Sequence, residues 1–324
     1  MRHYPLYKID EKCLRRLGQG VLKTYNLNKI IGLDTEKAIA KECEDLLALN
    51  EDCNAEHFAE LRQRRVISDS VPDDDLYAQV VEADDGSLFI VSVCRNDDDE
   101  TMFEVFSEHP LSEPLLAKLV RYISKVFCWC TPRYICVWPA PGSIPAKQLL
   151  SLAGSRAVDS LLAAQDPKLT VDELLCADIA LQPFELDKDW PWYERDYTQF
   201  LMQHPEMATI VPISEKDDIS EAIAAGLCSA AFYRGKPLGM IMAESSDELG
   251  FNGLLISDIF ITGQFRGQGF ASPMQRLYYQ QHMQGFEFFF GYIHADNKPS
   301  YNNALKQGRE LLRQEVYLPA HLFL

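Results

Sequence analysis

Residues 251–284 constrain the chain more than any other segment. FNGLLISDIFI reads as a strand, TGQFRGQGF as a glycine-bearing loop and ASPMQRLYYQQHMQ as a helix, and the aromatic run GFEFFFGYIHAD follows as another strand. The first strand is interrupted only by Gly253, and the helical pattern starts just after Gly269. A strand that passes through such a loop into a helix and on to a second strand points to an α/β sheet.

The loop itself, Gln264-Phe265-Arg266-Gly267-Gln268-Gly269-Phe270-Ala271, suggests chemistry. Glycines at two spaced positions let successive backbone N–H groups turn toward one point, and the following helix adds its positive N-terminal end. That makes an anion cradle suited to a pyrophosphate. An ordinary glycine turn has the same spacing, so both readings stand at this point. The terminal lysine of a phosphate loop and the third glycine of a dinucleotide fingerprint are missing, which argues against ATP and NAD.

The 324 residues leave room for about two domains. With 47% hydrophobic and 24% charged residues, a mostly disordered chain is excluded. Lys+Arg number 31 against 48 Asp+Glu, a formal charge of −17 and a pI near 4.8. That field repels phosphate backbones and suits a cationic partner, so no nucleic acid is expected. No apolar run is long enough for a membrane span, and MRHYPLYKIDEK lacks the apolar core of a signal peptide. The expectation is a soluble, cytoplasmic protein without a membrane partner.

The cysteines Cys13, Cys43, Cys53, Cys94, Cys128, Cys130, Cys136, Cys176 and Cys228 are odd in number and read as reduced thiols. Cys128 and Cys130 lack the second pair or the histidines of a zinc tetrahedron, and no metal is expected. The acidic runs Asp73–Asp75 and Asp97–Glu100 read as solvated turns.

Along the chain, residues 34–66 hold two helical patterns, the first capped by Asp34. LYAQVVEA and SLFIVSVCR flank the Asp84-Asp85-Gly86 turn as a hairpin, followed by a strand TMFEVFSE, a helix opened by Ser112, Glu113 and Pro114, and a strand RYICVWP. A helical stretch is read from about Lys147 to Ala164. A new unit is read to begin near Val171, with a strand and helix up to Gln203, a helix ended by Gly226, and a hairpin turning at Arg234-Gly235. The glycine-loop segment follows, then a helix closed by Gly308 and a last strand around Glu315 to Leu318. Both halves share one coarse order, which suggests a degenerate tandem repeat; an unrelated α+β domain in front is the other reading.

QFRGQG resembles the acetyl-CoA loop of the GCN5-related N-acetyltransferase (GNAT) superfamily, Gln/Arg-x-x-Gly-x-Gly/Ala between a strand and a helix. In DNKPSYNNALKQG, Asn297, Ser300 and Gly308 also resemble the family's Asn after the next strand, small residue and helix-closing glycine. The resemblance covers roughly residues 171–324. It implies an α/β (α+β) fold, a mixed and mostly antiparallel twisted sheet flanked by helices. The domains expected are 171–324, a GNAT acetyltransferase domain, and 1–170, an α/β domain, degenerate and without a CoA site.

The resemblance further implies a sheet splayed between the strand ending at Ile261 and the strand ending near Asn297, with acetyl-CoA as co-substrate. Backbone groups of Ile259, Phe260 and Ile261 are expected along the pantetheine arm. The segment Gln264, Phe265, Arg266, Gly267, Gln268, Gly269, Phe270 and Ala271 is expected at the pyrophosphate, and Asn297 and Ser300 beside the cofactor. Asn297 reads equally as a helix cap.

An alkyl amine near pKa 10.4 is almost wholly protonated at neutral pH, so transfer of an acetyl group to it needs a base. His294 is placed slightly ahead of Asp258 for that role, with Tyr292 on the same strand face as His294. Either group also reads as a satisfied structural polar residue. Many members of the family carry a tyrosine seven residues after the Asn; here that position is Ala304, so the usual acid for the thiolate is missing. Ser300 is the candidate replacement, with Tyr301 or Tyr317 behind it.

The first half has EHPLSEPL where a tandem enzyme would place its glycines, and Glu108 and His109 read as turn residues. The function implied is an acetyl-CoA-dependent N-acyltransferase acting by direct attack on a primary, cationic amine. A catalytically weak acyl-CoA-binding sensor is the alternative, and a tandem aminoacyl transferase using charged tRNA a third that the acidity disfavours.

Overall fold

The computed structural model describes residues 1–51, 58–59, 62–63, 68, 70–96, 98–165 and 177–324. The second helical pattern at 55–67 falls largely outside these residues, as do Cys53, Cys176, Asp97 and the domain boundary read at 170/171.

The described elements run twice through one order. The first pass is β1 (Arg2–Pro5), α1 (Glu11–Leu22), α2 (Thr35–Ala48), β2 (Gln79–Glu82), β3 (Leu88–Arg95), β4 (Thr101–Ser107), α3 (Glu113–Val126), β5 (Tyr134–Val137), α4 (Ile144–Leu150) and β6 (Arg156–Ala164). The second is β7 (Ile179–Pro183), α5 (Leu186–Gln203), α6 (Lys216–Ala224), β8 (Cys228–Tyr233), β9 (Lys236–Glu248), β10 (Phe251–Ile261), α7 (Ala271–His282), β11 (Phe288–His294), α8 (Lys298–Lys306) and β12 (Glu310–Pro319). Two compact units result, Met1–Ser160 with Leu312–Leu324, and Leu161–Leu311, so the last strand of the sequence completes the first unit. No helix among the described residues is long and apolar enough to cross a membrane.

In unit 1 the strands lie in the order β1-β2-β3-β4-β5-β12. The Asp-Gly turn works as its chemistry dictates: Gly86 sits at φ 81, and β2 and β3 pair antiparallel from Gln79↔Val91 to Glu82↔Leu88. Asp34 caps α2 by accepting from the amides of Glu36 and Lys37. Along α3, Leu116, Leu119, Val120 and Ile123 recur at helical spacing and are buried with Phe103, Ile135 and Leu318.

The helix expected from Lys147 to Ala164 is corrected. It stops at Leu150, and after Gly154 at φ 80 the chain becomes β6. Ser160 to Ala164 are buried in succession, the pattern of a strand covered on both faces, which carries no alternation to distinguish it from a buried helix.

In unit 2 the order is β7-β8-β9-β10-β11 followed by Leu161–Ala164 of β6. All ladders are antiparallel except β10 with β11, among those whose register is defined. One sheet face packs Met274, Tyr278 and Tyr279 of α7 against Leu254, Ile256 and Phe289. The other packs Trp192, Tyr193 and Tyr197 of α5 and Ile219 of α6 against Met240, Met242 and Phe260. Full burial of aromatic side chains such as Tyr193, Tyr278 and Phe289 contributes about 2–3 kcal/mol each, so the sheet is held rigid on both faces.

Candidate active site

The parallel ladder of β10 and β11 is short. It holds only Gly253↔Phe288, Leu254↔Phe289 and Leu255↔Phe290, although β10 runs on to Ile261 and β11 to His294. Beyond Leu255 and Phe290 the strands part, as the sequence reading expects, and a cavity of about 1470 Å³ opens within unit 2.

A β-bulge aims the first candidate base. Ile256 pairs with Ala243 but Asp258 pairs with Met242, so Ser257 is the extra residue. The bulge flips the parity of β10: Leu254 and Ile256 share a face with Ile259 and Ile261, while Asp258 joins Phe260 on the face covered by α5 and α6. Without the bulge, Asp258 would point toward α7.

Asp258 Oδ2 accepts from the Tyr193 hydroxyl at 2.7 Å and from Ser214 Oγ at 3.1 Å. Burial nonetheless dominates and pushes its carboxyl up to about 6, the two hydroxyls pulling the other way. Burial, with Asp258 beside it, also pushes the Tyr193 phenol up, so this hydroxyl stays protonated and keeps donating.

His294 lines the same cavity, but its Nδ1 accepts from the Asp296 amide at 3.1 Å. The neutral ring then carries its proton on Nε2 and presents a donor. Tyr292 is half-exposed and donates to Glu248 at 3.1 Å. Asn297 caps α8, its Oδ1 accepting from the Ser300 amide at 3.3 Å, and both residues line the cavity.

At the other end of the cavity lies the glycine loop. Gly267 and Gly269 stand at φ 73 and 84, and a Cβ at either would meet nothing within 4 Å. These glycines are therefore required by conformation rather than by space. The amides of Gly267, Gln268 and Gly269 find no acceptor among the described residues. Phe265 and Phe270 fasten the loop against Tyr233, with centroids 5.6 and 4.7 Å away. Gln264 and Gln268 do not line the cavity; their side chains donate to Pro237 O and Gln264 O and brace the turn.

Arg266 does not extend over the loop. Its Nε donates to Ile261 O at 2.7 Å, and the guanidinium stacks 4.0 Å from the Phe200 centroid and 4.8 Å from Phe260. Ile259, Phe260, Ile261 and Ala271 complete the lining at this end. Unpaired amides at a helix N-terminus, opening into a cleft along an unpaired strand edge, fit a pyrophosphate followed by a narrow arm, which is the shape of CoA.

Ala304 packs with Leu162, Ile293 and Tyr301 and its methyl lines the cavity, so an apolar side chain stands where the family's phenol is expected. Neither Tyr301 nor Tyr317 lines the cavity, and Tyr317 lies in unit 1 beside Tyr134. Several residues of the site escape a sequence reading. Tyr193 and Ser214 stand 65 and 44 positions from Asp258 and meet it only through the sheet. Glu206, Glu215, Asp218, Glu221 and Glu244 line the cavity with Asp258, and Gln275 and Arg309 lie on the α7 side.

No family model matches the chain, and no curated protein matches it. Solved structures do. A GNAT-family acetyltransferase from Colwellia psychrerythraea superposes with a TM-score of 0.53 at 12% identity, covering 98% of this chain and 99% of its own. A GCN5-related N-acetyltransferase from Sphaerobacter thermophilus gives 0.47 at 15% identity, over 83% and 88%. A tandem GNAT protein from the clavulanic acid biosynthesis pathway gives 0.46 at 12%, over 98% of both chains. The fold of this chain is that of the GNAT acetyltransferases.

Proposed function

We propose that unit 2 is an acetyl-CoA-dependent N-acyltransferase that acetylates a primary amine by direct attack in a ternary complex. One observation carries this reading. The bulge in β10 turns Asp258 into the same cavity onto which the amides of the 267–269 loop open. The group bound there supplies an activated acyl thioester. The loop amides and the N-terminus of α7 hold its pyrophosphate, and the edge of β10 from Ile259 to Ile261 orients the arm.

Asp258 is the base. A carboxyl titrating near 6 is ionised at neutral pH yet basic enough to take a proton from an amine as attack proceeds. Tyr193 and Ser214 orient it, each donating to Oδ2. His294 presents Nε2–H to the cavity as a donor. The carboxylates Glu206, Glu215, Asp218, Glu221 and Glu244 favour a cationic acceptor, in keeping with the charge of −17. Unit 1 is read as having no cofactor site.

Calorimetric titration with acetyl-CoA, followed by a panel of amines with detection of released thiol, tests the proposal. Saturable binding and turnover with cationic amines are expected; absence of CoA binding overturns it. The buried alanine at 304 favours one second reading, an acyl-CoA-binding sensor, for which the same panel gives binding without thiol release.

A further inference from the structure

Arg309 follows directly on α8, where Gly308 turns the chain at φ 79, and its amide donates to Ala304 O at 3.1 Å. Its side chain is 4% exposed and lines the cavity. The guanidinium has only neutral partners. Nη2 donates to the Tyr279 hydroxyl and, at 3.5 Å, to Gln275 Oε1, Nε has no partner, and no carboxylate pairs with it among the described residues. Gly291 makes the room, since a Cβ there would stand 3.2 Å from Nη1 and 3.2 Å from Ile256 O. Gly291 is also the first β11 residue past the last β10 pair, so the cation sits where the two strands begin to part.

A guanidinium keeps its charge inside proteins, and burying one without a counter-charge costs several kcal/mol. Tying α7 to α8 requires only a hydrogen-bonding side chain; it does not require a cation. We propose that Arg309 receives the negative charge of the CoA sulfur as it leaves, the part left open by Ala304. This rests on the acyl-CoA reading of the cavity. The amine nitrogen forms the new bond to the acyl carbon and the carbon–sulfur bond breaks. The electron pair departs on sulfur beside the guanidinium, and the amine proton passes to Asp258. No protein acid is then needed at the sulfur in that step.

The test uses free CoA and the full chain. The thiol of CoA bound to the wild-type protein is expected to titrate about tenfold further into acid than that of free CoA, read from thiolate ultraviolet absorbance. Arg309→Met loses this difference while CoA affinity changes by less than about threefold, and Arg309→Lys keeps part of it. In turnover, Arg309→Met lowers kcat by about 100-fold with KM for acetyl-CoA near the wild-type value. A bound thiol that titrates like the free one in the wild type, or a difference that survives Arg309→Met, overturns the assignment of Arg309 alone. Failure of the wild type to bind CoA removes the proposed function and this assignment together.

Discussion

The two units share their element order but differ at one corner. In unit 2, β10 and β11 part after Leu255 and Phe290, and about 1470 Å³ opens beyond them. In unit 1, β4 and β5 stay paired from Met102↔Tyr134 to Val105↔Val137, the whole of β5, and the corresponding cleft holds about 120 Å³. The turn after β10 carries Gly267 and Gly269; the turn after β4 is Glu108-His109-Pro110. There α1 closes in, with Gly20 so near the backbone that a Cβ would stand 2.4 Å from Glu108 Cα, and Arg16 clasps Glu108 at 2.9 and 2.7 Å. One topology thus yields a cleft or a packed corner, depending on the backbone freedom where strand becomes helix.

The comparison breaks most sharply at Asp258. Asp258→Asn is expected to lower turnover by about 1000-fold while acetyl-CoA affinity holds within a few-fold. With the carboxylate as the proposed base and burial raising it to about 6, wild-type turnover is expected to climb as pH rises through about 6, and the climb to vanish in the variant. Stability moves the other way. The folded state holds this proton more tightly than the unfolded chain, whose value is 3.8, so folding is weakened as pH rises from about 4 to about 6. Asp258→Asn is therefore more stable than the wild type at pH 8, by about 1–2 kcal/mol in denaturant melts. A less stable variant would mean that the hydroxyls of Tyr193 and Ser214 outweigh burial.

Next in size is the loop. Gly267→Val forces a branched side chain to φ 73 and is expected to weaken CoA binding at least about 100-fold. Pro110→Gly, at the matching corner of unit 1, leaves the binding isotherm unchanged. CoA affinity lost in Pro110→Gly instead would place the cofactor in the wrong unit. Gly20→Val presses a side chain into the Ser107–Glu108 backbone and costs about 2–3 kcal/mol, read as a fall in Tm of several degrees.

These positions differ in how far the sequence discloses them. Hairpins at Asp85-Gly86 and Arg234-Gly235, the capped helix after Asp34 and the glycine loop are written in local chemistry, and the structure has them where they are read. The repeat is legible as order alone. β1 escapes a sequence reading because Arg2–Pro5 is too short for a period, α1 because Gly18 and Gly20 fall on its buried face, and β6 reads as helix because its buried run lacks alternation. Asp258, Tyr292, His294, Asn297 and Ser300, all singled out from the sequence, line the cavity. What no local pattern discloses is the bulge at Ser257, the arrival of Tyr193 and Ser214 from distant elements, and the inward course of Arg309, each of which depends on sheet register.

The smallest effect separates the two candidate bases. His294 reads from sequence as the better proton acceptor, since its unperturbed range lies near neutrality. Its Nδ1, however, already accepts from the Asp296 amide, which leaves the neutral ring a donor at Nε2. Acting as a base would require that ring to release the Asp296 amide or to surrender its remaining proton, whereas Asp258 requires neither. His294→Ala is accordingly expected to lower turnover by less than about tenfold and to leave the rise through pH 6 in place. If the rise disappears in His294→Ala and persists in Asp258→Asn, the roles are exchanged, and the bulge in β10 orients a carboxyl that serves packing alone.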